Sequence, residues 1–150
     1  MARSTKPAGR IKARASAPRT SIGAAYETWL EAERIVERGL PLGAIDRLAE
    51  ASGMSYERIK KLARLTAATL ARRRRAGRLS PEESERILRI SRVFEGAVHL
   101  FRGDRAAATR WLDTPLPALA NRAPMDLSRT EVGAREVEDL IGRIQHGVVT

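Results

Sequence analysis

One tetrapeptide constrains this chain more than any other stretch: Ser80-Pro81-Glu82-Glu83. The serine hydroxyl can accept from the amide three residues on, and the glutamate can reach back to the serine's own amide. Proline suits the first helical turn, and the carboxylates oppose the positive end of the helix dipole. A helix starts here. Behind it Ile87, Ile90, Phe94, Ala97 and Phe101 recur at spacings of three and four, which predicts a long helix with a coiled-coil-like seam. Such a seam serves either a core or a dimer. Gly103 ends the helix and Asp104 caps the next.

The same punctuation divides the rest of the chain. Order is expected from near Ala24, where Tyr26, Trp29, Leu30, Ile35 and Val36 approximate one helical face that closes at Gly39. Ile45, Leu48 and Ala49 mark a second helix ending at Gly53. Ser55 caps a third with Ile59, Leu62 and Ala63 inward. After a turn at Arg64 and Leu65, Thr66 caps a fourth that carries Leu70 and stops at Gly77. Short helices joined by short turns suggest a helix-turn-helix. Beyond Asp104, Ala106, Ala107 and Ala108 lead to Trp111 and Leu112, and a proline-rich loop runs to Pro124. Thr130 and Glu131 open a last helix with Val137, Leu140, Ile141 and Ile144 on one stripe and Gly147 at its end. No strand is expected.

The 150 residues suit one domain or two small helical modules, and with 4% aromatics their core is built from Leu, Ile, Val and Ala. Of the net charge of +10, residues 1–22 hold +6: Arg3, Lys6, Arg10, Lys12, Arg14 and Arg19 with no acid. We read this as a flexible polycationic arm. Nucleic acid or an anionic surface becomes the leading partner class, and a merely solubilising arm is the competing reading. The absence of cysteine excludes disulfides and thiolate ligands and fits a reducing compartment. No apolar run is long enough to cross a membrane and no signal peptide is evident, so cytoplasm is the expected location.

Thr66, Thr69, Arg72 and Arg73 fall on or beside the second helix of the expected pair, where a recognition helix presents side chains to a major groove. Lys60, Lys61, Arg64, Arg74, Arg75 and Arg78 accompany them, most of them suited to clamping phosphates rather than reading bases. A solvated arginine face is the alternative. His99 and His146 are too far apart and too few for a zinc set. The carboxylates are expected in helix-face pairs, Glu136 with Arg135 and Glu138 with Arg143. No serine elbow or glycine-rich phosphate loop is present, so neither catalysis nor a cofactor is expected. Trp111 anchors either a core or an interface.

Several ordered blocks carry a resemblance. They are Thr66-x-x-Thr69-Leu70-x-Arg72-Arg73 with Gly77-Arg78-Leu79-Ser80-x-Glu82-x-Ser84, then Ala106-x-x-x-x-Trp111-Leu112-x-Thr114-Pro115-x-Pro117-Ala118-Leu119. Pro124-Met125-Asp126-Leu127, Thr130-Glu131-x-Gly133-Ala134-x-x-Val137 and Leu140-Ile141-Gly142-Arg143-Ile144-x-x-Gly147-Val148 follow. In this order they resemble the Xre, MbcA and ParS antitoxins of RES-type toxin–antitoxin pairs. The family's pattern has paired glycines where this chain has Ala120 and Asn121.

The resemblance implies an all-α fold: an Xre-like helix-turn-helix domain over residues 23–79, then a small helical toxin-binding domain over 80–150. It implies operator DNA and a cognate RES-domain toxin acting on NAD as partners, with the extreme C-terminus occluding the toxin's active site. Val148 and Val149 then enter the cleft, Gly147 lets the chain turn in, Arg143 and His146 meet polar groups at its mouth, and Thr150 is a further toxin-binding residue. A frayed end is the competing reading of the last residues. Autorepression as a homodimer is expected, with the Ile87 to Phe101 seam as part of the interface. Two rival functions are a stand-alone transcriptional regulator of the same fold and a protein-interaction adaptor.

Overall fold

The capping signals mark real helix ends in the computed structural model, which describes residues 29–148. The elements are α1 (Trp29–Arg38), α2 (Ala44–Ser52), α3 (Tyr56–Leu62), α4 (Ala67–Ala76), α5 (Pro81–Leu100), α6 (Arg105–Asp113), a 3-10 turn at Pro117–Leu119, α7 (Pro124–Leu127) and α8 (Glu131–Gln145). The side chains of Ser55, Thr66, Ser80, Asp104 and Thr130 each accept from the amide three residues on, and the reciprocal bond from the Ser80 amide to Glu83 completes the capping box. Gly53 and Gly77 close α2 and α4 with left-handed backbones. The β-pairing among the described residues is confined to two isolated bridges, Pro41 with Arg78 and Leu116 with Arg122. The expected basic arm over 1–22, the onset of order near Ala24 and Tyr26 lie outside the described residues.

Helix α5 is the organising element, packed against α1, α2 and α3 on the N-terminal side and α6, α7 and α8 on the C-terminal side. Its seam explains why. Ile87, Ile90, Phe94 and Ala97 are at most 1% exposed, and burying one such large side chain contributes about 1.5–3 kcal/mol. The expectation that this seam forms part of a dimer interface is therefore corrected: the stripe is covered by the chain's own helices. Only Phe101 is half-buried, tilted against Trp111 with centroids 6.2 Å apart. Trp111 thus sits at the rim of the core, while Leu112 beside it is buried.

Three further readings change. Leu30 is 41% exposed and does not join Ile35 and Val36, which are half-buried; it lies on the far side of α1 from them. The proline-rich segment is not all loop, because Pro117 and Pro124 each occupy the first turn of a short helix, where a missing amide hydrogen is no loss. The ion pairs also differ. Arg143 meets Glu136 at 3.3 Å, Arg135 meets Glu131 at 3.2 Å, and Glu138 turns instead toward α5 to bind Arg92. Arg92 also holds Glu131 at 3.0 Å, so one arginine fastens the first two turns of α8 to α5.

The two ends of the molecule are tied by polar links as well as by the shared helix. Arg105 on α6 donates to the Ala51 carbonyl at 2.8 Å, Thr109 donates to the Ser52 carbonyl at 3.1 Å, and Asp113 binds Arg58 of α3. These carbonyls belong to the last turn of α2, where a helix leaves acceptors without partners of its own.

Candidate DNA and toxin surfaces

In the helix pair α3–α4, the connecting turn runs through Arg64 at φ 54° and is pinned by Leu65, which is buried. The Thr66 hydroxyl accepts from the Thr69 amide at 3.1 Å and contacts the Thr69 hydroxyl at 2.9 Å. Leu70 anchors α4 in the core. At 3.6 residues per turn, the face opposite Leu70 carries Ala68, Arg72 and Arg75, with Ala71 on its flank, all exposed. Its N-terminal half is lined by methyl groups and its C-terminal half by guanidinium groups. That arrangement lets a helix approach a groove closely and can also contact thymine methyls. Arg74, one turn after Leu70 on the same side of α4, is exposed near the helix end, and Arg72, Arg74 and Arg75 make no ion pair or side-chain hydrogen bond among the described residues.

Arg73 differs from its neighbours. Its fork binds Glu83 through Nε at 2.8 Å and Nη2 at 3.0 Å, and the same carboxylate accepts from the Ser80 amide at 2.8 Å. Burial alone raises the Glu83 pKa, but Arg73 and the Ser80 amide outweigh it and hold the group below its ordinary value. Arg73 therefore locks the end of α4 to the start of α5. Arg78 is similarly occupied, donating to the Gly39 carbonyl at 2.9 Å beside the Leu79 to Leu40 backbone bond of 2.8 Å. A Cβ at Gly39, where φ is 80°, would lie 2.0 Å from the Leu79 carbonyl oxygen, so only glycine allows this close approach. Lys60 pairs with Glu57 on its own helix, and Lys61 is exposed. Of the residues expected at DNA, the structure groups Arg72, Arg74 and Arg75 on one open helix and gives Arg73 and Arg78 structural partners.

At the other end, α8 closes in a paired turn. The Gly147 amide donates to the Ile144 carbonyl at 3.2 Å and the Val148 amide to the Arg143 carbonyl at 2.9 Å, with Gly147 left-handed at φ 69°. Val148 is 55% exposed and His146 is exposed beside it. Val149 and Thr150 lie outside the described residues. Helix α8 runs in the direction of α5: Glu131 and Glu138 meet Arg92, and Ile141 packs at Gly96. The Val148 end thus lies toward the far end of α5 from Glu83. The thirteen residues from Glu83 to Gly96 correspond to about 20 Å along the helix axis.

Sequence reasoning did not single out Arg58, Arg92, Asp113, Arg122 or Arg129. Arg58 and Asp113 are 55 residues apart, so no local spacing announces their pairing. Gly133 stands out in the sequence only as a member of a motif, yet an added Cβ there would lie 2.3 Å from the Leu127 carbonyl oxygen.

These features define a helix-turn-helix protein that carries a second helical binding module on the same long helix. Residues 31–92 match the family described as the antitoxin Xre-like helix-turn-helix domain, and residues 96–147 match the antitoxin Xre/MbcA/ParS C-terminal toxin-binding domain. Relatives include an Antitoxin Xre of Yersinia enterocolitica, 42% identical over 75% of this chain and 77% of the relative. Another is an Antitoxin Xre of Photorhabdus laumondii, 36% identical over 77% of this chain and 79% of the relative. The chain belongs to the Xre antitoxin family. DNA binding and an antitoxin role follow from the two matched domains, and the family is not one of enzymes. Among the described residues no helix is long and apolar enough to cross a membrane.

Proposed function

We propose that this chain neutralises a cognate, NAD-consuming RES-domain toxin as part of a type II toxin–antitoxin pair and represses its own operon in the cytoplasm. The unit over residues 23–79 reads operator DNA as a homodimer through α4. Arg72 and Arg75 face the duplex, with Arg74, Lys60 and Lys61 near phosphates, and Thr66 and Thr69 at the helix start. Arg73 and Arg78 contribute by holding α4 in place. The unit over 80–150 binds the toxin, and Gly147, Val148, Val149 and Thr150 leave α8 to cover the toxin's active site, flanked by Arg143 and His146. A hetero-oligomer of antitoxin and toxin follows.

The observation that carries this reading is the separation of the two surfaces along α5, with the basic helix at its first turn and an exposed valine beyond its last. One molecule can then hold duplex and enzyme without one excluding the other. The experiment is truncation of residues 147–150, with growth measured during co-expression with the neighbouring toxin gene. The truncated chain is expected to lose protection while retaining its melting temperature and its affinity for promoter DNA. Full protection by the truncated chain would reject the plug.

A further inference from the structure

A cleft of about 560 Å³ opens between α3 and the segment leading from the 3-10 turn into α8. Arg58 and Lys61, three residues apart on α3, form one wall, and Arg122 and Arg129 form part of the other, with Asp113 and Asp126 between them. Its charges do not cancel. Arg58 is bound by Asp113 and also feels the field of Asp126, so the two carboxylates have a cation in place already. Lys61, Arg122 and Arg129 are exposed, and their side chains make no hydrogen bond or ion pair among the described residues. The Leu116 and Arg122 backbones pair, the Leu116 amide donating to the Arg122 carbonyl at 3.1 Å, which fixes the base of the Arg122 side chain.

We propose that the C-terminal module contacts DNA directly, Arg122 and Arg129 extending the phosphate-facing surface of α3 so that one strand of the duplex lies along this cleft. The inference rests on the reading of α3 and α4 as the DNA-binding pair. In such pairs the second helix enters the major groove while the first crosses the backbone. Outward-facing cations of α3 then stand beside a strand, and Arg122 and Arg129 stand across the same opening. The lining also suits phosphate better than protein. Of the apolar residues lining it, Leu62 and Ala123 are buried and Pro115 is exposed, so the cleft offers no large aromatic or aliphatic anchor of the kind that dominates protein interfaces. Both arginines lie inside the region matched as toxin-binding, which gives that module a second partner.

The test uses the full chain, a duplex from its own promoter and an unrelated duplex of equal length, with affinity measured by fluorescence anisotropy from about 50 to 200 mM salt. The Arg122→Ala/Arg129→Ala variant is expected to bind both duplexes more weakly by the same factor. Its plot of log affinity against log salt is expected to be shallower by about 1.8, since each lost phosphate contact removes about 0.9. Arg122→Lys/Arg129→Lys restores both, because an ammonium serves a phosphate as a point charge. Melting temperature stays unchanged in each variant. An unchanged slope, a loss confined to the promoter duplex, or a loss of toxin binding with DNA binding intact would overturn the proposal. A comparator, Arg72→Ala/Arg75→Ala, separates the two levels. If it weakens binding and the Arg122 and Arg129 variants do not, the cleft proposal alone fails; if the unaltered chain binds neither duplex, both readings fail together.

Discussion

Replacing Ala120 with glycine is expected to stabilise this protein. Ala120 closes the 3-10 turn at φ 54° and ψ 40°, and Asn121 follows at φ 58°, so two consecutive non-glycine residues are left-handed. For an L-residue this conformation drives Cβ toward the following carbonyl oxygen at a cost of about 1–2 kcal/mol, and Ala120 is exposed, so its methyl group gains little packing in return. Glycine removes that strain but widens the unfolded ensemble, which costs about 0.4–1 kcal/mol. The difference is about 0.5–1 kcal/mol in favour of glycine, or a rise in Tm of about 1–4 °C for a chain of this size. Asparagine tolerates the left-handed region, so Asn121→Gly changes stability less than Ala120→Gly. Urea midpoints and thermal melts of the full chain measure both. A neutral or destabilising Ala120→Gly, or a larger gain from Asn121→Gly, would refute the strain argument.

Two glycines of α8 separate sterics from propensity. Gly133→Ala pushes Cβ to 2.3 Å from the Leu127 carbonyl oxygen and is expected to cost about 1–3 kcal/mol in a urea titration, whereas Gly142→Ala meets nothing within 4 Å and is expected to gain up to about 1 kcal/mol. Acid should weaken the fold through Glu83 and Glu131. Burial alone raises both, but the arginine partners prevail and hold them below the ordinary 4.5; their contribution is fully present above that value and is lost as pH falls through the depressed folded values. Urea midpoints for Glu83→Gln should therefore fall less between neutral pH and acid than those of the unaltered chain. Arg72→Ala/Arg75→Ala is expected to flatten the salt dependence of promoter binding by about 1.8 if each arginine meets one phosphate, and by less if either reads a base. A gel-shift series in salt distinguishes these outcomes from no effect.

What was legible in the sequence was local. Ser55, Thr66, Ser80, Asp104 and Thr130 satisfy amides three residues away, and Gly53, Gly77 and Gly147 take backbones that few other residues take readily, so helix starts and stops follow from short windows. Periodicity along α5 identified an apolar stripe without saying what covers it. Five side chains with a buried face suit a dimer seam and an internal core equally, and only the packing of the neighbouring helices decides between them. The candidate DNA surface was legible as a cluster of arginines, but not which of them were engaged. Arg73 and Glu83 are ten residues apart across a turn, and their meeting depends on the angle between α4 and α5. The left-handed pair at Ala120 and Asn121 was legible only in part, because asparagine tolerates that backbone but alanine does not announce it.

Hydrogen–deuterium exchange of the full chain, bound in turn to promoter duplex and to the cognate toxin, tests most directly whether one protein offers two independent faces. The account predicts slowed exchange over residues 55–78 with the duplex, joined by 121–129 where the cleft meets a strand, and over 131–148 with the toxin, each largely unaffected by the other ligand. Protection of one common region by both ligands, or an unprotected end of α8 in the toxin complex, would contradict it.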